Sequence, residues 1–206
     1  MTPEQAAWFN DILSGVATAV MVILAGLGLN TWRKQLTGTA DYELARRLLR
    51  SVYRVRDEIT RTRSPMMSGG ETAAAVSASG EKLTESNEEA NKRMYEITYD
   101  ARWRRLNEVI SDFETDLTEA EVLWGAVMVE HARRMRKSIT KLSLAIRDHL
   151  RARRREPTSD AERKLLFESK AILWFGGDEN GVDAFGDEVT ATIAVFEAFL
   201  RPKLSH

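Results

Sequence analysis

The chain has 206 residues, with 30 Lys or Arg against 31 Asp or Glu and a formal net charge of -1. A dedicated nucleic-acid binder carries a surplus of Lys and Arg, so no nucleic-acid partner is expected. The absence of cysteine rules out disulfides, thiolate metal sites and cysteine nucleophiles. Sparse Gly and Pro favour long helices over an all-β fold.

From Ile12 to Leu29 every residue is apolar or small. As a helix rising about 1.5 Å per residue, the run covers roughly 27 Å, close to the roughly 30 Å of a bilayer's hydrocarbon core. Trp8 and Phe9 precede it and Trp32 follows, which suits the preference of indole for the headgroup region. Arg33 and Lys34 can snorkel outward and lengthen the effective span. Three readings compete. A buried helix of a soluble domain would show a polar stripe, and only Ser14 and Thr18 interrupt this one. A cleaved export signal needs a basic leading region, whereas residues 1–11 carry Glu4 and Asp11 and no Lys or Arg. A transmembrane helix over 12–32 accounts for the length, the Trp brackets and the charge step together.

The basic residues beyond the span, Arg33, Lys34, Arg46, Arg47, Arg50, Arg54 and Arg56, predict that this side stays in the cytoplasm of an inner or plasma membrane and that residues 1–11 lie outside. Ser14, Gly15, Thr18, Ala19, Ala25 and Gly26 fall near one side of the span. Gly15-x-x-x-Ala19 is a small-xxx-small pair that lets two backbones approach closely in lipid, so Gly15, Ala19 and Gly26 are candidate contacts for a homo-oligomer. Small residues are also common in any such helix. No ionisable residue lies within the span, which does not suit a transporter or proton relay.

A juxtamembrane helix is expected over 33–63, with Ala45, Leu48, Val52, Val55 and Ile59 on one stripe and Gly38 as a place where it can break. Pro65 and the pair Gly69-Gly70 then read as a stop, and 64–85 as a flexible connector. Its Ser64, Ser68, Thr72, Ser77 and Ser79 offer a docking or modification loop, or the segment is only a linker. Residues 86–206 read as a helical bundle, against which 40–62 can pack. Ser86 and Glu89 have capping-box spacing. Tyr99, Trp103, Leu106, Ile110, Phe113 and Leu117 step by four and three. Thr118 with Glu121 forms a second capping box that either restarts or continues the helix. Met128, Ala132, Met135, Ile139, Leu142 and Ile146 repeat the stepping, and Pro157 ends it. Seams of this kind pack at shallow angles. A shorter helix over 159–174 is expected to turn Leu165, Leu166, Ile172 and Leu173 inward. A last one over 183–200 should bury Phe185, Val189, Ile193, Phe196 and Phe199 or Leu200. The predicted fold is all-α: a single N-terminal transmembrane helix followed by a cytoplasmic antiparallel helical bundle.

His131 and His149 belong to no metal-binding motif and read as solvated helix-face residues. Between His131 and Arg155 ten residues are Arg or Lys and one, Asp148, is acidic. Arg133, Arg134, Arg136, Lys137, Arg151, Arg153, Arg154 and Arg155 are therefore candidates for lipid or partner contact. They can equally pair inside the molecule, since an antiparallel hairpin would bring Glu85, Glu88, Glu89 and Glu96 toward them. FGGDENGVDAFGDE fits neither a phosphate loop, whose charge it lacks, nor a calcium loop, since Val182 stands at a ligand position. It reads as a turn and a helix start with acids in the first turn. No cofactor, metal site or catalytic residue is indicated, and a non-enzymatic interaction, scaffold or signalling module is the expected function. A membrane effector that disrupts or gates the bilayer is the alternative, and a tethered hydrolase with a carboxylate metal site a distant third. The expected partners are membrane lipid, an unidentified protein and a second copy of the chain.

Overall fold

Among the residues that the computed structural model describes, every regular element is helical. Those residues are 21, 25, 32, 38–82, 87–155, 159–174 and 181–205. The predicted span lies outside them apart from Met21, Ala25 and Trp32, which are helical and exposed. Trp8, Gly15, Ala19, Gly26, Arg33 and Lys34 are likewise outside the described residues. Among the described residues no helix is long and apolar enough to cross a membrane. The chain forms two units, residues 1–43 with His206 and residues 44–205. The second is the helical bundle.

Helix α1 is described over residues 38–62, and its portion from Leu44 on belongs to the bundle. The stripe Ala45, Leu48, Val52, Val55 and Ile59 is buried as its spacing predicts. The segment 64–85, expected to be a connector, instead carries helix α2, Gly69–Ser79. Two features explain the difference. Gly69 and Gly70 occupy the first turn, where backbone N–H groups have no intrahelical partner and glycine interrupts nothing. The alanines that follow have the highest intrinsic helix propensity. Ser68 caps the helix by accepting from the Glu71 N–H at 3.1 Å, and Ala75 is buried on the side facing α3.

Helix α3, Glu88–Trp124, starts one residue later than its predicted capping box. Asn87 is the cap, accepting from the Ala90 N–H at 2.8 Å, and Glu88 and Glu89 suit the positive end of the helix dipole. The helix runs straight through Thr118, whose hydroxyl donates to the Glu114 carbonyl at 2.8 Å and caps nothing. It stops at Gly125, where φ is +66° and ψ is -144°, a backbone region open essentially to glycine alone. Helix α4, Ala126–Arg154, then returns along α3. The cross-pairs Arg136 with Glu114 and Arg154 with Glu96 are both centred on Gly125, so the two form an antiparallel hairpin.

Around this hairpin α1 runs antiparallel to α3, with Arg54 on Asp112 at 2.7 Å and Arg47 on Asp116 at 3.3 Å. Helix α5, Asp160–Leu173, packs on the C-terminal half of α4. Helix α6, Ala184–Leu200, runs antiparallel to α4, pairing Glu188 with Lys141 and Phe196 with His131, and a 3-10 turn over Arg201–Leu204 follows it. The core joins Leu48, Val52 and Ile59 of α1 with Leu106, Phe113 and Leu117 of α3, Met128, Met135 and Leu142 of α4 and Phe196 and Leu200 of α6. Phe113 and Phe196 meet edge to face at 5.9 Å. The α3, α4 and α6 seams follow their predicted positions, with Trp103, Ile110, Ile139 and Phe199 only partly covered. Leu165 is a correction. It is 46% exposed, because α5 buries Ser169 and Leu173 and leaves Leu165 beside Arg151 and Arg155 in a shallow cleft.

Candidate functional site

The basic residues of α4 divide by partner. Arg133 and Arg134 turn back to Glu130 on their own helix, at 2.9 and 3.5 Å. Arg136 reaches Glu114 on α3 at 2.9 Å. Arg154 grips the Glu96 carboxylate with two bonds of 2.5 and 2.9 Å. The Arg153 guanidinium lies 3.9 Å from the centre of the Tyr95 ring. Arg151 and Arg155 line the cleft between α4 and α5 together with Asp148, Glu162, Leu165 and Leu166. Lys137 is exposed. Of the four acids that an antiparallel hairpin could bring near, Glu96 meets Arg154, Glu88 pairs with Lys92 on its own helix, Glu89 is exposed, and Glu85 lies outside the described residues. The Arg154 hydrogen bond holds the Glu96 carboxyl below its ordinary range.

Both histidines differ from their sequence reading. His149 is buried, 5% exposed, because it sits three residues beyond Ile146 and prolongs the apolar stripe of α4. Its Nε2 shares a hydrogen bond of 3.1 Å with the Tyr95 hydroxyl. Among the described residues its Nδ1 and the Tyr99 hydroxyl, both buried, have no hydrogen-bond partner. Burial, reinforced by the positive charges of Arg153 and Lys170, pushes the imidazole down to about 4. At neutral pH it is an uncharged part of an aromatic cluster, with Tyr95 and Tyr99 ring centres 5.0 Å apart. His131 is half-buried between Phe196 and Phe199, and desolvation lowers its pKa too.

Among the described residues, two arginines that sequence reasoning passed over are the most deeply buried charges. Arg102, 2% exposed, donates to both Glu71 carboxylate oxygens at 2.7 and 2.8 Å and to the carbonyls of Ser64 and Met66 at 2.6 and 2.8 Å. The Arg102 hydrogen bonds keep Glu71 ionised well below the usual carboxylate range. Arg63 donates to the Ile172 carbonyl at 2.6 Å, to that of Trp174 at 3.3 Å and to both oxygens of Asp183 at 2.6 and 3.0 Å. Asp183 caps α6 through the Gly186 N–H at 2.8 Å. Burial raises the Asp183 pKa, but the Arg63 and Gly186 bonds outweigh it and leave the group below its ordinary value. Asp183 thus begins a helix, as the turn reading of its segment expects, while Asp178 and Glu179 lie outside the described residues. The signal was present in the spacing. Arg63 is four residues beyond Ile59, and Arg102 three beyond Tyr99, so both continue buried stripes.

These buried groups tie elements together, with their hydrogen-bonding capacity directed at backbone carbonyls and partner carboxylates. What remains outward is surface: the basic face of α4, the cleft beside α5, and apolar side chains at the α3–α4 turn. Comparison with protein-family models, with curated proteins and with solved structures finds no match.

Proposed function

We propose that this chain is a single-pass membrane-anchored protein whose helical bundle acts as a non-enzymatic interaction, scaffold or signalling module on the cytoplasmic side. The observation that carries the reading is the uncharged run Ile12–Leu29, bracketed by Trp8 and Trp32 and followed at once by Arg33 and Lys34. Burying such a run in hydrocarbon is strongly favourable, and the basic flank sets its direction. The bundle supports the second half of the reading. Its buried charges are engaged in holding helices together, so its outer faces are what it offers to partners. Gly15 and Ala19 give the span a close-packing pair through which two copies can associate.

The test is fractionation of native membranes containing the full-length chain. It should stay in the high-speed pellet through alkaline carbonate washing and be released by mild detergent. Recovery in the supernatant without detergent would end the reading.

A further inference from the structure

The α3–α4 turn carries a cluster of exposed apolar side chains at one end of the bundle. Val122 is 80% exposed, Leu123 51%, Val127 47% and Val129 49%, all within eight residues of chain around Gly125. Val127 and Val129 flank the fully buried Met128, so they leave α4 on opposite sides of its buried stripe. Side chains spread around a helical tip make a poor flat docking face. They suit insertion of the whole tip, end on, into a medium that surrounds it.

The identity of that medium follows from where the chain enters. The bundle starts at Leu44, and Arg47 of α1 pairs with Asp116 and Glu119 of α3. The first turn of the bundle therefore lies at the same end as the α3–α4 turn. Eleven residues separate Leu44 from Trp32, where the proposed span stops. The acids nearest the turn each have an arginine close by: Glu121 faces Arg136 at 3.8 Å, Glu130 pairs with Arg133 and Arg134, and Glu119 pairs with Arg47. Lys203 adds a cation whose Nζ lies 4.8 Å from the Trp124 ring centre and 4.9 Å from that of Phe199. An indole beside an ammonium group and a ring of exposed aliphatic chains matches the boundary between lipid headgroups and acyl chains.

We infer that the α3–α4 turn is a second membrane contact, its Val122, Leu123, Val127 and Val129 seated in the headgroup–acyl boundary of the bilayer that holds the span. The inference rests on the anchored reading above. It makes the bundle a two-point attachment and leaves the α2 and α5 end as the surface available to soluble partners.

The absence of cysteine makes the test clean. Val122→Cys, Val127→Cys and Met66→Cys variants of the full chain each take a single environment-sensitive label. Met66 is exposed, and its carbonyl is held by Arg102 of α3. That contact lies 22 residues before Trp124, roughly 33 Å along the helix. The labelled proteins are reconstituted in phosphatidylcholine–phosphatidylglycerol vesicles with or without acyl-chain nitroxide lipid, and flotation is measured on the same samples. The labels at Val122 and Val127 should lose several-fold more emission to the nitroxide than the label at Met66. Adding Val122→Asp and Leu123→Asp should bring the Val127 label to the Met66 level without changing flotation. Vesicles that float with the protein while the tip labels are quenched no more than Met66 overturn the inference, including the case in which a second copy or another protein covers the tip. Failure to float removes the anchored reading and this one with it.

Discussion

Replacing Arg102 by methionine keeps the apolar stem of the side chain and deletes the guanidinium with its charge. In the native bundle the guanidinium satisfies a bidentate carboxylate on α2 and two backbone carbonyls of the α1–α2 loop. Methionine leaves all of these acceptors without the donor. Breaking one side of a buried ion pair costs about 3–5 kcal/mol, because the surviving charge stays desolvated. Glu71 has a side chain 21% exposed and a second arginine, Arg105, at 3.2 Å, so the lower end applies, about 3 kcal/mol. The loss should appear as a lower urea midpoint for the full chain in mild detergent, followed by tryptophan emission. Glu71→Met added to Arg102→Met removes the stranded carboxylate, so the double variant should be more stable than the two single losses added together. The pH response has a definite sign. Glu71 is held below its ordinary value by Arg102, so its contribution is complete above the ordinary carboxylate range and is lost as pH falls through the folded value. The gap between parent and Glu71→Gln should therefore close in acid. An Arg102→Met midpoint equal to that of the parent, or strictly additive losses in the double variant, would refute the reasoning.

Two further outcomes test the buried network. His149 is depressed from 6.5 to about 4, so the unfolded chain takes up its proton first and stability falls as pH drops from about 6.5 toward 4, by roughly 3 kcal/mol at about 1.4 kcal/mol per pH unit. His149→Phe should flatten that part of the stability–pH curve, and an unchanged slope would show that the imidazole is not the group responsible. A β-carbon on Gly186 would lie 2.3 Å from Asp183 Oδ2, and that carboxylate cannot swing aside without leaving Arg63 and its capping position. Gly186→Ala should lower the thermal midpoint by an amount equivalent to about 1–3 kcal/mol and speed amide exchange at the start of α6. A midpoint matching the parent would mean that the cap re-forms elsewhere.

Helix existence and core stripes were legible because 3.6-residue periodicity is written into the order of apolar residues. The stripes of α3, α4 and α6 needed no tertiary information. Helix α2 was not legible, since its glycines suggest a break unless one knows that they fall in a first turn and that Glu71 has an arginine to meet. Arg63, Arg102 and His149 occupy stripe positions, yet a polar residue on a stripe reads equally well as the edge of a solvated face. The partners that decide between these lie far away in the chain: Asp183 for Arg63, Glu71 for Arg102, Tyr95 for His149.

By itself the order of residues determined that the chain is helical, where its seams run, and that one uncharged stretch stands apart from the rest. Those are properties of local composition and period. Only the tertiary structure decided which charges are buried and which apolar side chains stay outside at the α3–α4 turn. Both depend on the desolvation of one helix by another, and that is a property of contacts between residues distant in sequence.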